Sequence, residues 1–185
     1  LHYLGTDLLN PGGVGVANSK TWRLSSIHDP DFTGVGHQPN GHDQISPLFE
    51  RYQVYKVDFK VIFVNQDSAS SQRVGYRVSD SSSVSTDPLV NWENGSAEFS
   101  LISQAGGFDK KEFSGTIWLH DAHGITYKQY MANDDYGANF GANPVEEAYL
   151  HLVADGLGTD TAPIDVSTQL VYHCKLTGST LNASS

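Results

Sequence analysis

Residues 164–176 read Ile-Asp-Val-Ser-Thr-Gln-Leu-Val-Tyr-His-Cys-Lys-Leu. Ile164, Val166, Thr168, Leu170, Tyr172, Cys174 and Leu176 share one parity, and Asp165, Ser167, Gln169, Val171, His173 and Lys175 share the other. A period of two puts one set on the core face of a strand and the other toward water, whereas an amphipathic helix would repeat at three and four. Upstream, Val57, Phe59, Val61 and Phe63 alternate with Lys56, Asp58 and Lys60, until Ile62 and Val64 make that end apolar on both faces. Working outward, the same test predicts strands at 20–27 with Trp22 and Leu24 inward, and at 73–79 with Val74, Tyr76 and Val78 inward. It predicts others at 97–103 with Phe99 and Leu101 inward, at 112–120 with Phe113, Ile117 and Leu119 inward, at 125–131, and at 146–154 with Leu150 and Leu152 inward. Turn-rich segments separate them, among them Asn10-Pro11-Gly12-Gly13, Gln38-Pro39-Asn40-Gly41 and Gln104-Ala105-Gly106-Gly107. Only 45–52 and 87–92 tolerate helix. Eight strands punctuated in this way predict an all-β sandwich or barrel occupying residues 1–185 as one domain.

Composition narrows the function classes. The 185 residues are 38% hydrophobic and 17% charged, with one Cys, and 11 Lys and Arg against 21 Asp and Glu give a net charge of −10. Phosphate neutralisation needs clustered cations, so a self-sufficient nucleic-acid binder is not expected. The lone Cys174 excludes an intrachain disulfide or a multi-cysteine metal site, and its inward parity makes it a small core residue. No apolar run reaches the length of a membrane-spanning helix, so no membrane partner is expected.

Catalytic and metal-binding patterns are weak. His37, His42 and Asp43 form one grouping with ligand-type residues, and His120, Asp121 and His123 form another, but neither matches a known ligand spacing. Both read as loop histidines, and no metal or cofactor is expected. The acid pairs Asp29 with Asp31, Asp134 with Asp135, and Glu146 with Glu147 could serve calcium or glycosidic chemistry, yet adjacency in sequence does not place carboxyls across a cleft. No nucleophile motif is present. The glycine clusters at 12–15 and 137–141 lack the lysine of a phosphate loop. Asn94-Gly95-Ser96 and Asn182-Ala183-Ser184 fit the glycosylation pattern only for a secreted chain. Among the cations, Arg73 and Arg77 lie opposite Val74, Tyr76 and Val78. They predict a small outward basic stripe that, with Lys60, could touch packaged nucleic acid.

Phe32-Thr33-Gly34 and Pro39-Asn40-Gly41-His42-Asp43-Gln44 lead through Leu48-Phe49-Glu50-Arg51-Tyr52-Gln53-Val54 into the long strand ending Phe63-Val64-Asn65. Farther on come Ser103 to Gly107, then Phe113-Ser114-Gly115, then Asn143-Pro144 ahead of the strand through Tyr149, Leu150 and His151. In order and spacing this resembles the capsid proteins of circular Rep-encoding single-stranded DNA viruses, the circovirus-like group. The resemblance implies a single jelly roll of two four-stranded antiparallel sheets, with short helices in its loops and no catalytic residue. It implies self-assembly into a small icosahedral shell, T=1 with about 60 copies in the simplest closed case. The shell would enclose circular single-stranded DNA, and the protein would reside in the virion, or in the host nucleus or cytoplasm during assembly. The family's Arg-rich N-terminal arm has no counterpart here, since the chain opens Leu1-His2-Tyr3-Leu4-Gly5. The expectation is that such an arm lies upstream.

Assembly contacts are expected from the turn at 37–44 with His37, Pro39 and Asp43, from 87–92 with Trp92, and from the loop at 133–144 with Tyr136 and Phe140. Aromatic side chains in loops are natural interface anchors. Two alternatives remain open. One is a carbohydrate-binding jelly roll in which Trp92, Trp118 or Tyr136 stacks on sugars and Asp pairs hold calcium. The other is the capsid protein of a small RNA or satellite virus.

Overall fold

The computed structural model describes residues 1–13, 15–67, 69–104, 106–158 and 161–180. The sequon at Asn182, Ser68 and Ala105 lie outside the described residues. In chain order the elements are β1 (His2–Leu9), β2 (Asn18–Arg23), α1 (His42–Ile45), β3 (Phe49–Asn65), β4 (Ser71–Ser79), α2 (Pro88–Trp92) and β5 (Ala97–Ser103). Then follow β6 (Lys110–Trp118), α3 (Leu119–Ala122), α4 (Tyr127–Ala132), a 3-10 turn (Asp134–Tyr136), β7 (Ala138–Asn139), β8 (Tyr149–Gly156) and β9 (Ile164–Ser179).

Two antiparallel sheets face each other, β1-β9-β3-β6 with short β7 beside β3, and β2-β8-β4-β5. Laying the first strand against the last while the chain shuttles between sheets is the jelly-roll arrangement. The backbone of the first sheet is the β3–β9 pair, which runs in register from Phe49 opposite Ser179 to Asn65 opposite Ile164. A bulge between Val54 and Lys56 shifts the parity, so Tyr52 and Val54 point inward before it and Val57, Phe59, Val61 and Phe63 after it. From the second sheet Trp22, Val74, Leu150 and Leu152 meet them, each essentially excluded from water. Each such aliphatic or aromatic side chain contributes roughly 1.5–3 kcal/mol of burial free energy.

Gly5 shows how tightly the faces mesh. A methyl group there would sit 2.4 Å from the Trp22 ring. The indole also packs edge-on against Tyr3 at 5.4 Å and lies 4.9 Å from the Lys20 ammonium. Gly5→Ala is therefore expected to overpack the interior and cost roughly 1–3 kcal/mol, read as a lower urea midpoint.

Several expectations need correction. The helix expected at 45–52 is α1 at His42–Ile45, and residues from Phe49 are already strand because β9 and β7 pair with them. The strand expected at 125–131 is α4. Thr126 accepts from the Gln129 amide while the Gln129 side chain accepts from the Thr126 amide, a reciprocal cap that starts a helix. The strand expected to reach His120 stops at Trp118, where α3 begins. β1 was not predicted, because its apolar residues fall on both parities: Tyr3 and Leu9 are buried while Leu4 and Leu8 are exposed. In β5 the expected inward pair is reversed. Ile102 is buried, and Phe99 and Leu101 face outward.

Candidate functional site

The outer face of the β2-β8-β4-β5 sheet brings together three of the predicted residues, Arg73, Arg77 and Trp92. Arg73 and Arg77 do project there from β4, as parity required, but residues 80–93 fold over them. The Arg73 guanidinium grips the buried Asp155 carboxylate, Nε at 3.1 Å and Nη2 at 2.9 Å. Trp92 Nε1 donates to the same carboxylate at 2.8 Å. Arg77 is buried, donating to Asn91 Oδ1 at 3.3 Å and to the Ser83 carbonyl at 3.1 Å, and burial lowers its pKa. The expected outward basic stripe is thus corrected to an internal latch, because a folded-over loop supplies both arginines with acceptors. Lys60 does lie at the surface, paired with Glu112 at 2.9 Å.

His151 completes this latch. Its Nε2 faces the Ser81 carbonyl at 2.9 Å, an acceptor only, so Nε2 carries the proton and Nδ1 accepts from the Thr21 hydroxyl at 2.9 Å. Burial, with the Arg77 charge adding to it, pushes the imidazole down to about 4 against the opposing Ser81 carbonyl. The unfolded chain, with an ordinary histidine, binds a proton between that value and about 6.5, so the stabilisation is full above about 6.5 and is lost as pH falls through this window. Half-buried His123 is shifted the same way, again by loss of water around the ring. The expected result is a loss of roughly 2 kcal/mol from His151 between pH 7.5 and pH 5. Denaturant melts should show a smaller loss across this interval in His151→Gln.

Beside the latch lies the main apolar exposure. Phe99 and Leu101 on β5 are 49% and 52% exposed, and Leu89 and Val90 on α2 are 59% and 53% exposed. The two groups are joined through Trp92, whose ring lies 5.3 Å from that of Phe99. Asp87 caps α2 by accepting from the Leu89 amide, and Pro88 opens the helix, so the segment holds a fixed shape. Trp92, the predicted anchor, is itself nearly buried. Its neighbours carry the exposed surface, and the sequence hid this because Phe99 and Leu101 alternate like core residues.

The other predicted interface residues divide by burial. His37 is exposed, stacks on Tyr3 at 4.6 Å, and sets its ring nitrogens against the carbonyls of Leu4 and Gln38. Asp43 is exposed and Pro39 is buried. Tyr136 folds back onto Tyr130 and His123, with ring centroids at 4.5 and 4.7 Å. Phe140 packs against Tyr52 and His42, each at 5.5 Å. Cys174 packs against the core, and burial raises its thiol to about 12. Among the described residues no three His, Cys, Asp or Glu side chains converge as a metal site would need. Asp29 and Asp31 instead serve Arg23 and Lys20, at 2.7 and 2.9 Å.

In sequence, no family model and no curated protein matches the chain. In structure it is similar to a chain of Sacbrood virus of honeybee, with a TM-score of 0.52 and 10% identity over 100% of this chain and 72% of that one. It is also similar to a chain of the native virion of Kashmir bee virus at neutral pH, with a TM-score of 0.51 and 14% identity over 97% and 74%. A chain of Broad Bean Stain Virus gives a TM-score of 0.51 and 14% identity over 95% of this chain, which spans only 44% of that one. At such identities the likeness is one of fold, and it is the jelly roll that these chains share.

Proposed function

We propose that the chain is a viral capsid protein that assembles copies of itself into a closed icosahedral shell, with residues 1–185 as the shell domain and no catalytic role. The observation that carries this reading is the outward turn of Phe99 and Leu101 on an edge strand, beside Leu89 and Val90. An edge strand offering aromatic and aliphatic side chains to water is a liability in a monomer and a ready contact in an assembly. The occupant is a second copy of the chain, which brings the same neutral patch and the same unpaired edge to a two-fold contact. The fold shared with chains of virus particles supports the same reading.

The finer reading is a T=1 shell of about 60 copies around circular single-stranded DNA. It rests on the ordered motifs at 32–65 and 103–151. Arg73 and Arg77 are satisfied within the fold and Lys60 pairs with Glu112, so they are minor candidates for genome contact. A basic segment beyond these residues is the proposed genome-binding element. The same shell around RNA is the second reading.

Negative-stain microscopy of the purified, nuclease-treated protein, followed by extraction of protected nucleic acid, tests both levels. Uniform particles protecting strands that DNase then digests support the whole reading. RNase-sensitive strands replace DNA with RNA and leave the shell standing, and failure to form particles at any ionic strength overturns the shell.

A further inference from the structure

A second surface feature is unused by the fold. Trp118 ends β6 with 41% of its surface exposed, and Tyr127 opens α4 with 45% exposed. With Tyr55, at the β3 bulge, and with His120 and Asp121 they line an open basin of about 520 Å³. Tyr55 and Tyr127 stand perpendicular at 6.5 Å, Trp118 and Tyr127 nearly so at 6.4 Å, and Trp118 lies within 33° of parallel to Tyr55. A second basin of about 310 Å³ continues past Trp118 toward Val78, Ser96 and Thr116, and Trp118 and Asp121 line both. Each volume lies in the range of small-ligand sites.

The geometry points to a binding site for a neutral glycan, with sugar rings in both basins and Trp118 between them. A pyranose has one face of C–H groups and a rim of hydroxyls. The C–H face matches an exposed indole or phenol ring, which offers broad apolar contact without a cavity that must first be dried. The rim needs acceptors and donors at the edge of that platform. Asp121 supplies a carboxylate whose side chain is 73% exposed, with His120 Nε2 3.4 Å from it. Such a group can accept from two neighbouring hydroxyls.

Charge selects the ligand class. Lys56, whose ammonium lies 5.9 Å from the Trp118 ring, is already balanced by Asp58 at 3.4 Å. Asp58 also accepts from Thr116 Oγ1 at 2.6 Å and from His173 Nε2 at 2.7 Å. Among the described residues no Lys or Arg lines either basin, and Asp121 repels anions. The surface therefore lacks what a phosphate backbone or a sulfated or sialylated sugar requires. Every residue that lines the two basins belongs to one chain, so binding can be read on the unassembled protein.

The test is tryptophan fluorescence and calorimetric titration of the 185-residue chain with a panel of neutral di- and trisaccharides ending in glucose, galactose, mannose or N-acetylhexosamine. Sialylated and sulfated glycans and a single-stranded oligothymidine are run beside them. At least one neutral glycan is expected to saturate. Trp118→Ala is expected to weaken it by roughly tenfold or more, as truncating a central aromatic anchor does. Asp121→Asn should weaken it less. Both side chains are substantially exposed, so unchanged thermal melts will show that the variants fold. Binding of only the acidic glycans or only the oligonucleotide, no binding by any neutral member, or full binding by Trp118→Ala would each overturn the proposal.

Discussion

Replacing Phe99 and Leu101 together with aspartate is expected to leave a folded chain that no longer assembles. Both side chains stand on the outer face of edge strand β5, half in water, so their loss removes little from the core. Leu101 lies directly across from Arg73 on β4, which gives a new carboxylate at that position a nearby cation and favours the folded monomer. At an interface the same substitutions act strongly. Two apolar anchors are lost, each worth about 2 kcal/mol or more where it sits at a contact centre. Two carboxylates must also be desolvated against their symmetry copies. Because a closed shell repeats the contact around every copy, the effect multiplies, and sedimentation velocity should show only monomer under conditions where the parent chain forms particles. A thermal melt within a few degrees of the parent would show that the fold survived.

The largest effect on stability is expected from Asp155→Ala. The buried carboxylate holds the Arg73 guanidinium and the Trp92 indole N–H together, and no other acid pairs with Arg73 among the described residues. Removing it strands a mostly covered cation and a buried donor, at a cost of roughly 3–5 kcal/mol, a large share of the 5–15 kcal/mol that a domain has. Unfolding in urea should report this directly. Asp155→Leu combined with Arg73→Leu should recover more than half of the loss, since an apolar pair at the same place leaves no uncompensated charge. Assembly should suffer in Asp155→Ala as well, because Trp92 anchors α2 and α2 displays Leu89 and Val90.

The long strands at the middle of the first sheet were the most legible in sequence. Residues 57–64 and 164–176 fall in β3 and β9, each with one face on the core and the other more exposed along most of its length, and that difference between faces produces the alternation. Two of the edge strands, β1 and β5, obeyed the rule less well. β1 buries Gly5 where Trp22 needs the space, and places Leu4 and Leu8 outside, so its parity signal cancels. β5 alternates cleanly but presents its aromatic side outward, and periodicity carries no sign that tells core from contact. The 125–131 stretch alternates by chance, and the Thr126–Gln129 cap was the signal that outweighed it. Parity placed Arg73 and Arg77 on the correct face. It could not show that 80–93 closes over that face, because a loop's path depends on acceptors such as Asp155, Asn91 and Ser83, which come together only in three dimensions.

Self-assembly is the claim on which the functional reading stands. Multi-angle light scattering of the purified chain across ionic strength, near neutral pH where His151 and His123 remain uncharged, addresses it most directly. A single particle mass many tens of times that of the 20.1 kDa chain is expected, reached cooperatively and lost on substituting Phe99 and Leu101. A monomer that persists at every salt concentration, with its fold intact, would contradict it.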